Sequence, residues 1–222
     1  LFWSALALFI YLHNSNMHGL LLAPSPNHDA RPGGAVPDLI VIHAISLPPD
    51  RFGGPGVEQL FTNRLDPAVH PYYAQIHTLR VSAHYFIRRT GETLCFVPPE
   101  LRAWHAGVSS WRGRERCNDF SIGIELEGCD TLPFEPVQYE TLASLLADLC
   151  ARFPISGIAG HSDIAPGRKT DPGPWFSWGR LSTLLVAAGH AKVARLVTPE
   201  GAAAPGDDGL LRWPFPVTAR PG

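Results

Sequence analysis

Ser121-Ile122-Gly123-Ile124-Glu125-Leu126-Glu127 is the stretch on which the fold turns. Ile122, Ile124 and Leu126 fall on one face of an extended chain. Ser121, Gly123, Glu125 and Glu127 fall on the other, which is the two-residue period of a half-buried strand. On the N-terminal side, residues 38–43 (DLIVIH) form a short continuous apolar run that ends in a histidine, the pattern of a buried strand. Residues 81–89 (VSAHYFIRR) are rich in β-branched and aromatic types. Gly91 interrupts that run and residues 93–97 resume it, which predicts a hairpin turning near Thr90-Gly91. On the C-terminal side, Pro136 sits where a first helical residue belongs. Leu142, Leu145, Leu146 and Leu149 then recur at helical spacing, and Pro154 closes the helix. Residues 155–160 (ISGIAG) predict a last short strand leading into His161. Residues 177–188 carry a second helical stripe of Leu181, Leu184, Leu185 and Ala188. A shorter helix is expected near residues 57–63. The order strand, hairpin, strand, helix, strand, helix implies an α/β fold, a mixed central β-sheet with packed α-helices.

The bulk numbers bound the rest. A chain of 222 residues with 45% hydrophobic and 17% charged residues suits one domain with a true core. A net charge of −2 and an isoelectric point near 6.6 supply no basic surface for nucleic acid or an anionic membrane. With 21 Gly and 22 Pro, loops must carry much of the chain. Cys95, Cys117, Cys129 and Cys150 form no C-x-x-C pair, and a chain of this size needs no staples, so reduced thiols are expected. Residues 1–12 (LFWSALALFIYL) are almost wholly apolar yet shorter than the roughly 20 residues of a membrane span. No Lys or Arg precedes them, and the first Met is Met17. Translation is therefore expected to start at Met17. The expected organisation is an N-terminal extension over residues 1–24, an enzymatic domain over 25–197 and a mobile tail over 198–222.

Of the ten histidines, His43 and His161 differ from the rest in placement. Each follows a short apolar strand and opens a loop, so each is held on a rigid element. Asp171 follows His161 in the loop HSDIAPGRKTDPGP and can curl back to the same point. Zinc takes imidazole nitrogen and carboxylate oxygen at roughly 2.0–2.2 Å, and three protein ligands leave a position for water. Spacing alone leaves this set level with the alternative of loop histidines and a turn-capping aspartate. Glu125 and Glu127 share the polar face of their strand, where a carboxylate needs a partner or a task. Either can act as a general base near a metal-bound water, or both can pair with arginines such as Arg114 and Arg116. Lys169 can bring an ammonium beside such a site to stabilise an oxyanion.

Six ordered segments then carry a resemblance: VIHAISLPP, FGGPGVEQLF, LRVSAHYFIRR, RAWHAGVS, GRERCNDFSIGIELEG and GHSDIAPGRKTDPGP. Together, from about residue 25 to about residue 180, they closely resemble the N-acetylmuramoyl-L-alanine amidase type 2 family, in its branch that cleaves anhydro-muropeptides. The resemblance implies a fold shared with peptidoglycan recognition proteins and T7 lysozyme amidases. It implies Zn2+ held by His43, His161 and Asp171, Glu125 rather than Glu127 as the catalytic acid/base, and Lys169 as transition-state stabiliser. Arg80, Trp104 and Arg116 lie in the matched segments and are candidates for gripping carboxylates and stacking on the sugar. His84 is expected to play a supporting part rather than that of a ligand. The implied reaction cuts the amide between (1,6-anhydro)-N-acetylmuramic acid and L-alanine during cytoplasmic peptidoglycan recycling in a bacterium, by a monomer without a membrane span. A signal segment at residues 1–16 would instead imply a periplasmic or secreted murein amidase. A non-catalytic muropeptide-binding module is the reading from another class, and the complete set of five site residues argues against it. Ala44 departs from the family, where Asn is expected after the histidine, and a change at the pocket edge follows from it.

Overall fold

The computed structural model describes residues 20–197. The apolar run 1–12, the expected start at Met17 and the expected tail 198–222 lie outside the described residues. In chain order the strands are β1 (Leu20–Leu22), β2 (His28–Ala30), β3 (Leu39–Ile45), β4 (Tyr85–Ile87), β5 (Thr93–Cys95), β6 (Leu101–Ala103), β7 (Ser110–Trp111), β8 (Arg114–Glu115), β9 (Ser121–Glu127) and β10 (Gly157–Gly160). The helices are α1 (Gly56–Phe61), α2 (Pro71–Ile76), α3 (Pro136–Arg152), α4 (His161–Ile164), α5 (Trp178–Ala187) and α6 (Ala191–Ala194). Six strands form the central sheet in the order β1-β5-β4-β9-β3-β10. β4, β9, β3 and β10 run parallel, and β5 turns back antiparallel to β4. The sheet is mixed, with helices packed on it, as the sequence order implied.

The quoted strand β9 lies in the middle, between β4 and β3. All seven of its residues are buried, so it is not the half-buried strand that its alternation predicts. Both of its faces are covered, but by different material. Ile122, Ile124 and Leu126 join Ile40, Ile42, Tyr85 and Ile87 in a core completed by α3 and α5. On the opposite face Ser121 and Gly123 meet His105, and Glu127 meets the backbone of Gly53 and Arg89.

α3 forms where the leucine stripe predicts it, and Leu142, Leu145, Leu146 and Leu149 are all fully buried. Pro136 occupies its first turn, and the Glu135 N–H donates to Gln138 Oε1 at 3.0 Å. Phe153 is already extended, as a residue preceding proline tends to be. The hairpin turns at Gly91, where φ of +84° requires a residue without a Cβ penalty. Its strands are shorter than the apolar run predicts, since residues 81–84 are not strand.

Three departures concern boundaries and pairings. β1 adds a parallel strand to the sheet edge through Leu20–Leu22, so the folded domain reaches into the expected extension 1–24. β2, absent from the element order that the sequence implied, pairs His28 with Ala103 of β6. Ala44 points to the helix side of β3, packing on that core, and not to the edge of the site face. No disulfide joins any of the four cysteines. Among the described residues no helix is long and apolar enough to cross a membrane.

Candidate metal centre and active site

Parallel strands deliver the site residues at their carboxyl ends, where open α/β sheets place their clefts. β3 carries His43, and β9 carries Glu125 directly beside it in register. β10 leads into His161, the first residue of α4. The loop after α4 returns Asp171, whose carbonyl accepts from the Ser162 N–H at 2.9 Å. His43 Nδ1 and His161 Nδ1 lie 2.9 Å apart, and Asp171 Oδ2 lies 3.1 Å from the first and 3.0 Å from the second. Among the described residues these three form the one such cluster able to hold a metal ion.

The donor chemistry fits a cation. His161 Nε2 faces the Ala106 carbonyl at 3.2 Å, and a carbonyl only accepts. The His161 proton therefore sits on Nε2, and Nδ1 presents a lone pair. Burial holds His43 neutral, moving its pKa down to about 4 against the pull of Asp171. Two imidazole nitrogens and a carboxylate oxygen thus converge with too few protons to go round. Ligands on a tetrahedral ion with bonds near 2.0 Å sit roughly 3.3 Å apart, close to the separations seen.

Glu125 is buried, and its Oε2 has no hydrogen-bond partner. Burial, reinforced by the neighbouring charge of Asp171 and eased by Lys169, raises its pKa well above the usual carboxylate value. Such a group takes a proton more readily than an ordinary carboxylate and can give it back. Lys169 lies exposed in the loop between His161 and Asp171, and its charge is felt at both Glu125 and His43. Glu127 pairs with neither Arg114 nor Arg116. Its two oxygens accept the backbone N–H groups of Gly53 and Arg89, pinning the 47–56 loop to β9.

The proposed substrate contacts are divided. Arg116 is exposed, adopts the left-handed conformation (φ +62°) and pairs with Asp119 at 3.2 Å. It lines a cleft of about 530 Å³ together with Glu115, Ile164 and Arg168. Arg114 pairs with Asp38 at 2.7 Å. Trp104 is half-buried, and its Nε1 donates to Asp29 Oδ1 at 3.3 Å. Arg80 is exposed and donates to carbonyls of its own loop, those of Thr78 and Leu79 among them. His84 is buried beneath the site. Its Nδ1 accepts from the Gly123 N–H at 2.9 Å, which makes it a support and not a ligand. One residue escaped the sequence reading: His105 Nδ1 lies 2.9 Å from His43 Nε2. Its only signal was membership of the matched segment RAWHAGVS.

Residues 33–174 match the family model for N-acetylmuramoyl-L-alanine amidase. The chain belongs to that family, and it is an amidase. A 1,6-anhydro-N-acetylmuramyl-L-alanine amidase, AmpD of Citrobacter freundii, is 55% identical over 172 residues, spanning 77% of this chain and 92% of that protein. A crystal structure of a selenomethionine derivative of AmpD superposes with a TM-score of 0.74 at 55% identity, over 76% of this chain and 95% of that one. AmiD of E. coli, solved with the substrate anhydro-N-acetylmuramic acid-L-Ala-D-gamma-Glu-L-Lys, matches with a TM-score of 0.50 at 33% identity, over 70% of this chain and 60% of that one.

Proposed function

We propose that this chain is a zinc amidase that cleaves the bond between 1,6-anhydro-N-acetylmuramic acid and the L-alanine of a stem peptide, in cytoplasmic peptidoglycan recycling. The observation that carries the reading is the convergence of His43, His161 and Asp171 beside a buried Glu125 whose pKa lies above the usual carboxylate value. The substrate class is supported by AmpD over most of the chain and by the anhydro-muropeptide bound to AmiD. The compartment is supported by four cysteines that form no disulfide, which suits a reducing environment.

His43, His161 and Asp171 would hold the ion. Bound there, zinc lowers the pKa of water to about 7 and polarises a carbonyl oxygen. Glu125 takes the proton of the attacking water as its oxygen bonds to the lactyl carbonyl carbon. It then delivers that proton to the L-alanine nitrogen as the C–N bond breaks. The Lys169 ammonium would stabilise the oxyanion formed between those steps. The neutral amine leaves, and the lactyl group stays with the sugar as a carboxylic acid that then gives its proton to solvent.

The test is hydrolysis of an anhydro-muropeptide, followed by release of free stem peptide, with polymeric peptidoglycan assayed in parallel. Chelation should abolish turnover, and zinc should restore it. Glu125→Gln should keep one zinc per chain and lose nearly all turnover. Lys169→Ala should keep zinc and lower kcat by about 10²–10³-fold, the usual cost of losing an oxyanion donor. Turnover that survives complete metal removal sinks the proposal, as does cleavage of polymer in preference to the soluble muropeptide.

A further inference from the structure

His43 differs from His161 in what stands behind it. His161 is backed by a backbone carbonyl, which fixes its proton directly. His43 is backed by another imidazole, which can either donate or accept. Its tautomer therefore depends on what holds His105.

The chain of contacts can be followed to a fixed end. Ser121 Oγ lies 2.6 Å from the Cys117 carbonyl oxygen, which only accepts, so the Ser121 hydroxyl proton points there. Ser121 Oγ also lies 3.2 Å from His105 Nε2. Its own proton is committed, so it accepts, and His105 must carry its proton on Nε2. A neutral His105 then has a bare Nδ1, which accepts from His43 Nε2 at 2.9 Å. That leaves His43 Nδ1 with a lone pair aimed at His161 Nδ1 and Asp171.

The ring is held in that pose from two further sides. A Cβ on Gly123 would fall 2.4 Å from His105 Cγ, so the ring lies directly on the backbone of β9 where only glycine leaves room. Asn118 Oδ1 accepts the N–H of His105 at 3.1 Å and that of Ala106 at 2.8 Å. The same dipeptide thus supplies the imidazole behind His43 and the carbonyl behind His161, and one carboxamide clamps both.

We propose that His105 is a positioning residue for the metal centre: it fixes His43 in the Nε2–H tautomer and so presents Nδ1 to the ion. The proposal rests on the metal reading above, but its first test needs no metal. Long-range 1H–15N NMR of the metal-free protein with labelled histidine should show both His43 and His105 protonated on Nε2. A proton on Nδ1 of either ring overturns the proposal. The second test is zinc affinity by competition with a chromogenic chelator. His105→Leu removes the acceptor and should weaken zinc by about 10–100-fold, the usual effect of losing a group that orients a ligand. His105→Asn places an amide oxygen near the position of Nδ1 and should recover most of that loss. Ser121→Ala loosens His105 without touching it and gives a smaller loss, which keeps the test open if His105→Leu does not fold. Wild-type zinc affinity in His105→Leu, or in Ser121→Ala when the leucine variant fails to fold, sinks the idea. Wild-type protein that binds no zinc at all would sink the proposed function instead, while the tautomers remain readable.

Discussion

Glu125 and Glu127 stand two residues apart on one face of β9, and their surroundings give them opposite tasks. Glu127 has both oxygens filled by backbone N–H groups, so it is a fixed acceptor that ties down a loop. Glu125 keeps a buried oxygen without a partner and holds its proton above the usual carboxylate range, chiefly through burial. This has a consequence for stability. A group whose pKa is raised on folding contributes stability that is fully present below its unfolded value and is lost as pH rises through the folded one. In metal-free protein, Glu125→Gln removes that loss. The variant should therefore melt progressively higher than wild type as pH is raised from 4 to 8. Thermal melts across that range check it, and a constant offset between the two proteins would contradict the buried ionisation. Asp171 is common to both proteins and cancels in the comparison.

At the scale of elements, the site depends on how α3 is fastened to the strands beneath it. Gln138 is fully buried in the first turn of α3. Its Nε2 donates to the carbonyls of Ile87 at 3.3 Å and of Glu127 at 3.1 Å, joining the helix to β4 and β9. Gln138→Leu keeps the volume but strips both carbonyls of that partner and the helix of its cap. It should cost about 1–3 kcal/mol, the penalty for buried polar groups left unpaired. Leu146→Ala, in the middle of the same helix, should cost about 2–5 kcal/mol through the cavity it leaves. Urea denaturation separates the two effects. The leucine stripe of α3 was legible because burial and helical period coincide along it. Gln138 was not, because nothing local shows that a polar residue in a first turn faces inwards.

For the whole molecule, the N-terminal boundary is the feature the fold moved. Leu20, Leu21 and Leu22 pair with Thr93, Leu94 and Cys95 at the sheet edge. The Ala23 N–H and the Ser25 N–H continue that ladder to the carbonyls of Cys95 and Phe96. A protein truncated to begin at residue 25 should therefore be less stable than one beginning at residue 20. Deletion exposes the β5 edge and removes the apolar cover of Leu20 and Leu22. Equal melting temperatures for the two truncations would show that β1 adds nothing.

The amino-acid sequence determined the sheet-and-helix order, the strand that carries Glu125 and the strand ends that carry His43 and His161. These are set by local period and by where apolar runs end, and both are written residue by residue. Spacing left Glu125 and Glu127 level, and only the tertiary structure shows why Glu127 is occupied, because its partners lie 38 and 74 residues away along the chain. Tertiary structure alone brought His105 behind His43, across 62 residues and onto a bare patch of backbone at Gly123. A proton's place on an imidazole depends on its partners in space, and no spacing along the chain records them.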